Sequence, residues 1–108
     1  MTLEDLTRRI PSFAGLNHAE KIKLFAWWLH VYGSKPHVQP RDVAQCYAVL
    51  SIAPPADMGS FFRSLEQRSP KQLLKSAAGY RLERQFADSF TERYGQRDAA
   101  VHVENLLL

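Results

Sequence analysis

Hydrophobic positions along this chain recur mostly at helical spacing, with one interval where the period falls to two. Leu3, Leu6 and Ile10 share one face of a short segment, residues 2–10, that Pro11 stops. Thr2 can cap this helix. Glu4 and Asp5 suit the positive end of its dipole, and Arg8 and Arg9 the negative end. Asn17-His18-Ala19-Glu20 has the form of a capping box, in which Glu20 reaches back to the Asn17 amide. The helix it opens is predicted to run to about Tyr32 and to end with Gly33 as the residue past its C-cap. Ile22, Phe25, Ala26, Leu29 and Tyr32 form one apolar stripe; Leu24, Trp27, Trp28 and Val31 form a second. Only Lys23 and His30 make a clearly polar strip. A surface helix carries one apolar stripe, so this one is predicted to be buried on both sides, by the rest of the chain or by a partner.

Two extended residues between prolines follow, in Pro36-His37-Val38-Gln39-Pro40. Pro40 fits the first turn of a helix whose Val43, Cys46, Tyr47 and Leu50 repeat at i, i+3, i+4 and i+7. Pro54-Pro55 makes a stiff connection, and Asp57 can cap the next helix, residues 57–68. Its buried face is expected to hold Met58, Phe61, Phe62 and Leu65, with Ser60, Arg63, Ser64 and Gln67 mostly opposite. Residues 72–75 and 80–83 read as strands joined by a turn at Ser76-Ala77-Ala78-Gly79, where Gly79 can take a positive φ. Residues 84–94 read as a helix with Phe86, Ala87, Phe90 and Tyr94 inward, closed by Gly95.

This order is helix, short strand, helix, tight turn, helix, strand, turn, strand, helix. It resembles a winged helix-turn-helix domain over residues 17–95. The expected fold class is mainly α with a small β-hairpin. Residues 1–16 form an N-terminal helical extension, and residues 96–108 a tail that starts a further element of something longer. Gly79-Tyr80-Arg81-Leu82 looks like the return strand of the wing. The resemblance implies that residues 40–50 are the second helix and 57–68 the recognition helix. One departure is Pro54-Pro55, where a DNA-reading turn often has glycine. The stretch from Lys23 to His30 is also similar to accessory modules of larger prokaryotic proteins.

Charge changes the picture only when it is partitioned. The 108 residues carry 14 basic and 11 acidic side chains, a net +3. Residues 59–84 hold +4 of this, and residues 85–108 hold −2. A basic segment on the third helix and wing is the footprint expected of a surface that meets phosphate. The candidate nucleic-acid contacts are Ser60, Arg63, Ser64, Gln67, Arg68, Lys71, Lys75 and Arg81. Arg63, Ser64 and Gln67 could reach base edges, while Lys71, Lys75 and Arg81 would set position on the backbone. Against this, Asp57 and Glu66 sit on the same helix and would repel phosphate. The second reading is an interaction or oligomerisation module, with a protein partner or a homodimer. Its candidate interface residues are Trp27, Trp28, Leu106, Leu107 and Leu108. Trp is enriched in interface hot spots, and three terminal leucines need cover.

Other chemistry is not signalled. No pair among His18, His30, His37, His102 and Cys46 has the spacing of a structural zinc site, so those histidines read as solvated or capping. Cys46 lies on an apolar helix face and reads as an inert buried thiol. The five glycines are isolated, so no phosphate loop is expected. No catalytic apparatus, cofactor or small-molecule substrate is expected. The acidic N-terminus lacks an apolar signal region, no run of 18 apolar residues occurs, and one cysteine suits a cytoplasmic chain.

Overall fold

A computed structural model describes residues 1–95. The elements run α1 (Leu3–Arg9), a 3-10 turn (Phe13–Gly15), α2 (His18–Val31), α3 (Pro40–Val49), α4 (Met58–Gln67), β1 (Leu73–Ser76), β2 (Gly79–Leu82) and α5 (Arg84–Tyr94). The candidate residues Leu106, Leu107 and Leu108, and His102, lie outside the described residues.

Local capping explains most of the boundaries. The Thr2 hydroxyl accepts from the Asp5 amide at 3.1 Å, and the Asp5 carboxylate accepts from the Thr2 amide at 3.1 Å. The Thr2 amide, and after it the Thr2 hydroxyl, hold the Asp5 carboxyl below its usual value. Asn17 accepts from the Glu20 amide at 2.9 Å, as expected of a cap. The reciprocal half of the expected capping box is replaced, because Glu20 turns to Lys23 and pairs with it at 2.9 Å. Lys23 is therefore not part of a solvated strip. It is 4% exposed, with its ammonium also 4.9 Å from the Phe86 ring centroid. Gly33 does not take the left-handed conformation at the end of α2; Ser34 does, at φ 55°. Gly33 serves close approach instead, since a Cβ there would stand 2.8 Å from the Leu29 carbonyl oxygen.

The core is one continuous cluster, and α2 is its axis. Ala19, Ile22, Leu24, Phe25, Ala26, Trp27 and Leu29 are all buried. Adjacent helix residues diverge by about 100°, so Trp27 and Trp28 need separate covers. Helix α5 covers the first: the Trp27 indole donates to Thr91 Oγ1 at 3.0 Å, and its ring meets Phe90 edge-on. The N-terminal segment covers the second, with the Trp28 indole donating to the Met1 carbonyl at 3.0 Å. Trp27 is 1% exposed and so offers no surface to a partner; Trp28 is half-buried. Leu3, Leu6, Ile10 and Phe13 belong to the same core as residues 17–95. The C-terminal ends of α1 and α5 are tied by Arg9, which donates to the carbonyls of Tyr94 and Gly95.

On the other side of α2, Val43, Cys46 and Tyr47 of α3 are buried, and so are Phe62 and Leu65 of α4. Met58 and Phe61, expected inward, are partly buried against the core. The hairpin pairs Leu73 with Leu82, Leu74 with Arg81, Lys75 with Tyr80 and Ser76 with Gly79. Val38 adds a third, single-residue rung. Its amide donates to the Tyr80 carbonyl at 2.8 Å and its carbonyl accepts from the Tyr80 amide at 2.9 Å. Gly79 has φ 133°, and a Cβ there would lie 2.8 Å from Gln39 Nε2, so only glycine fits where the hairpin passes the start of α3.

Truncating Trp27 tests the two-sided burial of α2. Trp27→Ala is expected to cost about 3–5 kcal/mol of unfolding free energy in a urea titration. Thr91→Val, which removes only the indole's acceptor, is expected to cost about 1 kcal/mol.

Candidate nucleic-acid interface

The outward face of α4 follows from helical period. Positions 60, 63, 64 and 67 fall within one strip, opposite Phe62 and Leu65, and position 68 extends it past the last turn. The structure brings Ser60, Arg63, Ser64, Gln67 and Arg68 together around one shallow surface hollow of about 330 Å³. Asp57 stands at the N-terminal end of this strip, where its carboxylate accepts from the Ser60 amide at 3.0 Å as the helix cap and, like the Arg63 guanidinium, comes within 4 Å of a Cβ placed at Gly59. Glu66 is at the edge and is matched by Lys71 at 2.9 Å. Glu66 is thus neutralised by Lys71, and Asp57 is occupied as a cap at the end of the strip.

The three remaining candidates separate. Lys71 donates to both the carboxylate and the main-chain carbonyl of Glu66, each at 2.9 Å, so its charge closes the end of α4. Lys75 stands opposite Tyr80 in the hairpin, its ammonium 5.8 Å from the ring centroid. Tyr80 packs edge-on against Phe62 at 4.9 Å, so Lys75 is on the α4 side of the hairpin. Arg81 is not. Alternate strand residues point to opposite faces, and Arg81 shares its face with Leu74, turned away from α4. It lines a separate cleft with His30, His37 and Arg84. A grouping by net charge along the chain had placed Arg81 with the α4 residues; strand alternation takes it away.

His30 is a structural residue that the sequence reading left as solvated. Its Nδ1 hydrogen-bonds the Lys35 carbonyl at 2.7 Å, and its Nε2 lies 3.1 Å from the Leu82 amide. A carbonyl only accepts and an amide only donates, which assigns the proton to Nδ1 and the lone pair to Nε2. Neutral His30 thus pins the hairpin to α2. Burial lowers its pKa below the usual 6.5 against the Lys35 carbonyl, which raises it, with the charges of His37 and Arg81 adding to the lowering. The Leu82 partner is 52 residues away, so no local pattern marks this role.

Cys46 is buried, and burial, with Asp42 nearby, pushes its thiol up to about 11. It is a protonated, weakly nucleophilic group at neutral pH. Tyr47 is hydrogen-bonded to His18 Nδ1 at 2.8 Å and is raised by burial to about 12. No group of three or more His, Cys, Asp or Glu among the described residues could hold a metal ion. No helix among them is long and apolar enough to cross a membrane. A second concavity, about 420 Å³ and mostly apolar, lies where Met1 and Leu3 meet Trp28 of α2 and Cys46 and Val49 of α3.

No family model matches this chain, and neither a curated protein nor a solved structure matches it.

The His30 tie makes a pH prediction. A base whose folded pKa is depressed takes up its proton more readily when unfolded. Its stabilising contribution is complete above 6.5 and is lost as pH falls from 6.5 through the folded value. The Asp5 contribution is lost only as pH drops below 3.8, outside that window. Urea midpoints measured across the histidine range should fall with acidification. In His30→Gln, which keeps a donor and an acceptor without titrating, the fall should flatten at a cost of about 1–2 kcal/mol. An unchanged slope would refute the assignment.

Proposed function

We propose that this chain is a winged-helix domain of the cytoplasm that binds nucleic acid, duplex DNA in the first place, without catalysing a reaction. The observation that carries the reading is the outward strip of α4, with Ser60, Arg63, Ser64, Gln67 and Arg68 on one face. Its setting supports it. The single rung from Val38 joins β2 from outside the hairpin, so the order is helix, rung, helix, helix, strand, strand, as in a winged helix. Arg and Gln on such a strip offer bidentate hydrogen bonds to base edges in a major groove. Lys75 extends the basic surface along the hairpin, while Lys71 is spoken for by Glu66. Arg81 falls outside this interface.

The second reading, a protein-interaction module, is favoured by a different observation. The concavity between the N-terminus, α2 and α3 is apolar, and Val49 at its edge is 50% exposed. Half-buried Trp28 lines it and is the interface candidate that the structure leaves accessible. Buried Trp27 is not one. On this reading the occupant is a protein partner or a second copy, and sedimentation tests the latter: one clean monomer at every concentration removes self-association, though not a foreign partner.

Fluorescence anisotropy with duplex DNA tests the first reading. Binding should weaken with salt, with log K falling against log salt at a slope of roughly −2 to −3 from the two or three free cations. Arg63→Glu should weaken it at least about tenfold, and Lys75→Glu less, since a backbone contact carries one unit of salt slope. Arg81→Glu should leave it nearly unchanged. Absence of salt-sensitive binding at micromolar protein, or full binding by Arg63→Glu, would sink the proposal.

A further inference from the structure

The largest concavity among those found in the described residues is not on the α4 side. It has a volume of about 580 Å³ and lies between the loop before Val38, the outer face of the hairpin and the start of α5. That size is within the range of small-molecule pockets. Its apolar lining includes Leu74, Ala87 and Pro36. Its charged groups are Arg81, Arg84 and Glu83, with His37 and His30 beside them.

Three of these groups, Glu83, Arg84 and His30, have an assignable role; Arg81 and His37 do not. Glu83 caps α5, its carboxylate accepting from the Gln85 amide at 2.8 Å. The first turn of α5 is thus already supplied with an anion and is not an open anion site. Arg84 leans to Asp88 at 3.7 Å, with both side chains mostly exposed. His30 is neutral and committed to Lys35 and Leu82. The Arg81 side chain has no hydrogen bond and no ion pair among the described residues, and it shares the outer face of the hairpin with Leu74, its partner in the strand register. A guanidinium offers a planar fork that fits a carboxylate with two parallel hydrogen bonds. Beside an apolar lining, the fork selects a molecule with both halves.

We infer that this cleft binds a small organic acid, a single carboxylate on an apolar, ring-sized body, with Arg81 taking the carboxylate and Leu74, Ala87 and Pro36 the body. The site is independent of the α4 strip, so it stands whether or not the chain binds nucleic acid. A volume of about 580 Å³ suits an occupant of small-molecule size.

The test uses benzoate as the probe and benzamide as its neutral isostere, followed by amide shifts in nitrogen–proton correlation spectra of the full chain. Benzoate is expected to shift the amides of His37, Leu82, Arg84 and Ala87 in a saturable way, and benzamide is not. Arg81→Gln, on an exposed side chain, should keep the folded spectrum and weaken benzoate at least about fivefold. Lys71→Gln should leave the affinity unchanged. Three results would each overturn the inference: no saturable shift at those amides with millimolar benzoate, an equal response to benzamide, or wild-type affinity in Arg81→Gln. Shifts confined to Ser60, Arg63 and Gln67 would also overturn it, by placing the anion on α4.

Discussion

The constraint on which the rest of this structure depends is that α2 must be covered on two flanks, with only its C-terminal Val31 left 48% exposed among its large apolar residues. Trp27 and Trp28 diverge around its axis, and each carries an indole N–H that a buried site must satisfy. Thr91 of α5 and the carbonyl of Met1 supply the two acceptors from opposite ends of the chain. Once α1 and α5 stand on those flanks, α3, α4 and the hairpin must cover the remainder. Arg9 then closes the far side by bonding the last carbonyls of α5. The small core is thus organised around one helix rather than between two layers.

That arrangement explains which features were legible from sequence. Helix positions came from periodicity and capping residues, both local quantities, and Thr2, Asn17 and Asp57 all cap as expected. The two stripes of α2 predicted burial on both sides; the first stripe and Leu24 and Trp27 of the second are covered, while Trp28 is half-buried and Val31, at the end of the helix, is 48% exposed. Legibility failed where a side chain's partner is distant or where two local rules compete. Glu20 could serve its helix cap or Lys23, and a lysine at 4% exposure needs the carboxylate more. His30 looked like a solvated residue because the Leu82 amide that needs it enters only through the tertiary fold.

The candidate interface shows the same division. Its α4 part was legible, because a helix face can be computed from sequence spacing. Its hairpin part was not. Net charge summed along residues 59–84 treats Lys75 and Arg81 as neighbours, but the pleat sends them to opposite faces. Lys71 was counted as free, whereas its ammonium closes α4 through Glu66. A linear charge count overstates a surface by every cation that is spent internally or turned away.

The hairpin is therefore a wall with two different surfaces. Its inner face carries Tyr80 against Phe62 and holds α4 in place; its outer face carries Arg81 and the cleft. The strand between them is fastened at two consecutive points: Tyr80 by the Val38 rung and Leu82 by His30. Arg81 lies between these fastenings. A group bound by Arg81 would press on a strand with little freedom to shift, so its effect on α4 would pass through the Tyr80–Phe62 contact. For the two faces to communicate, that ring pair has to have two arrangements; if it has one, the cleft and the α4 strip are separate surfaces that share a wall.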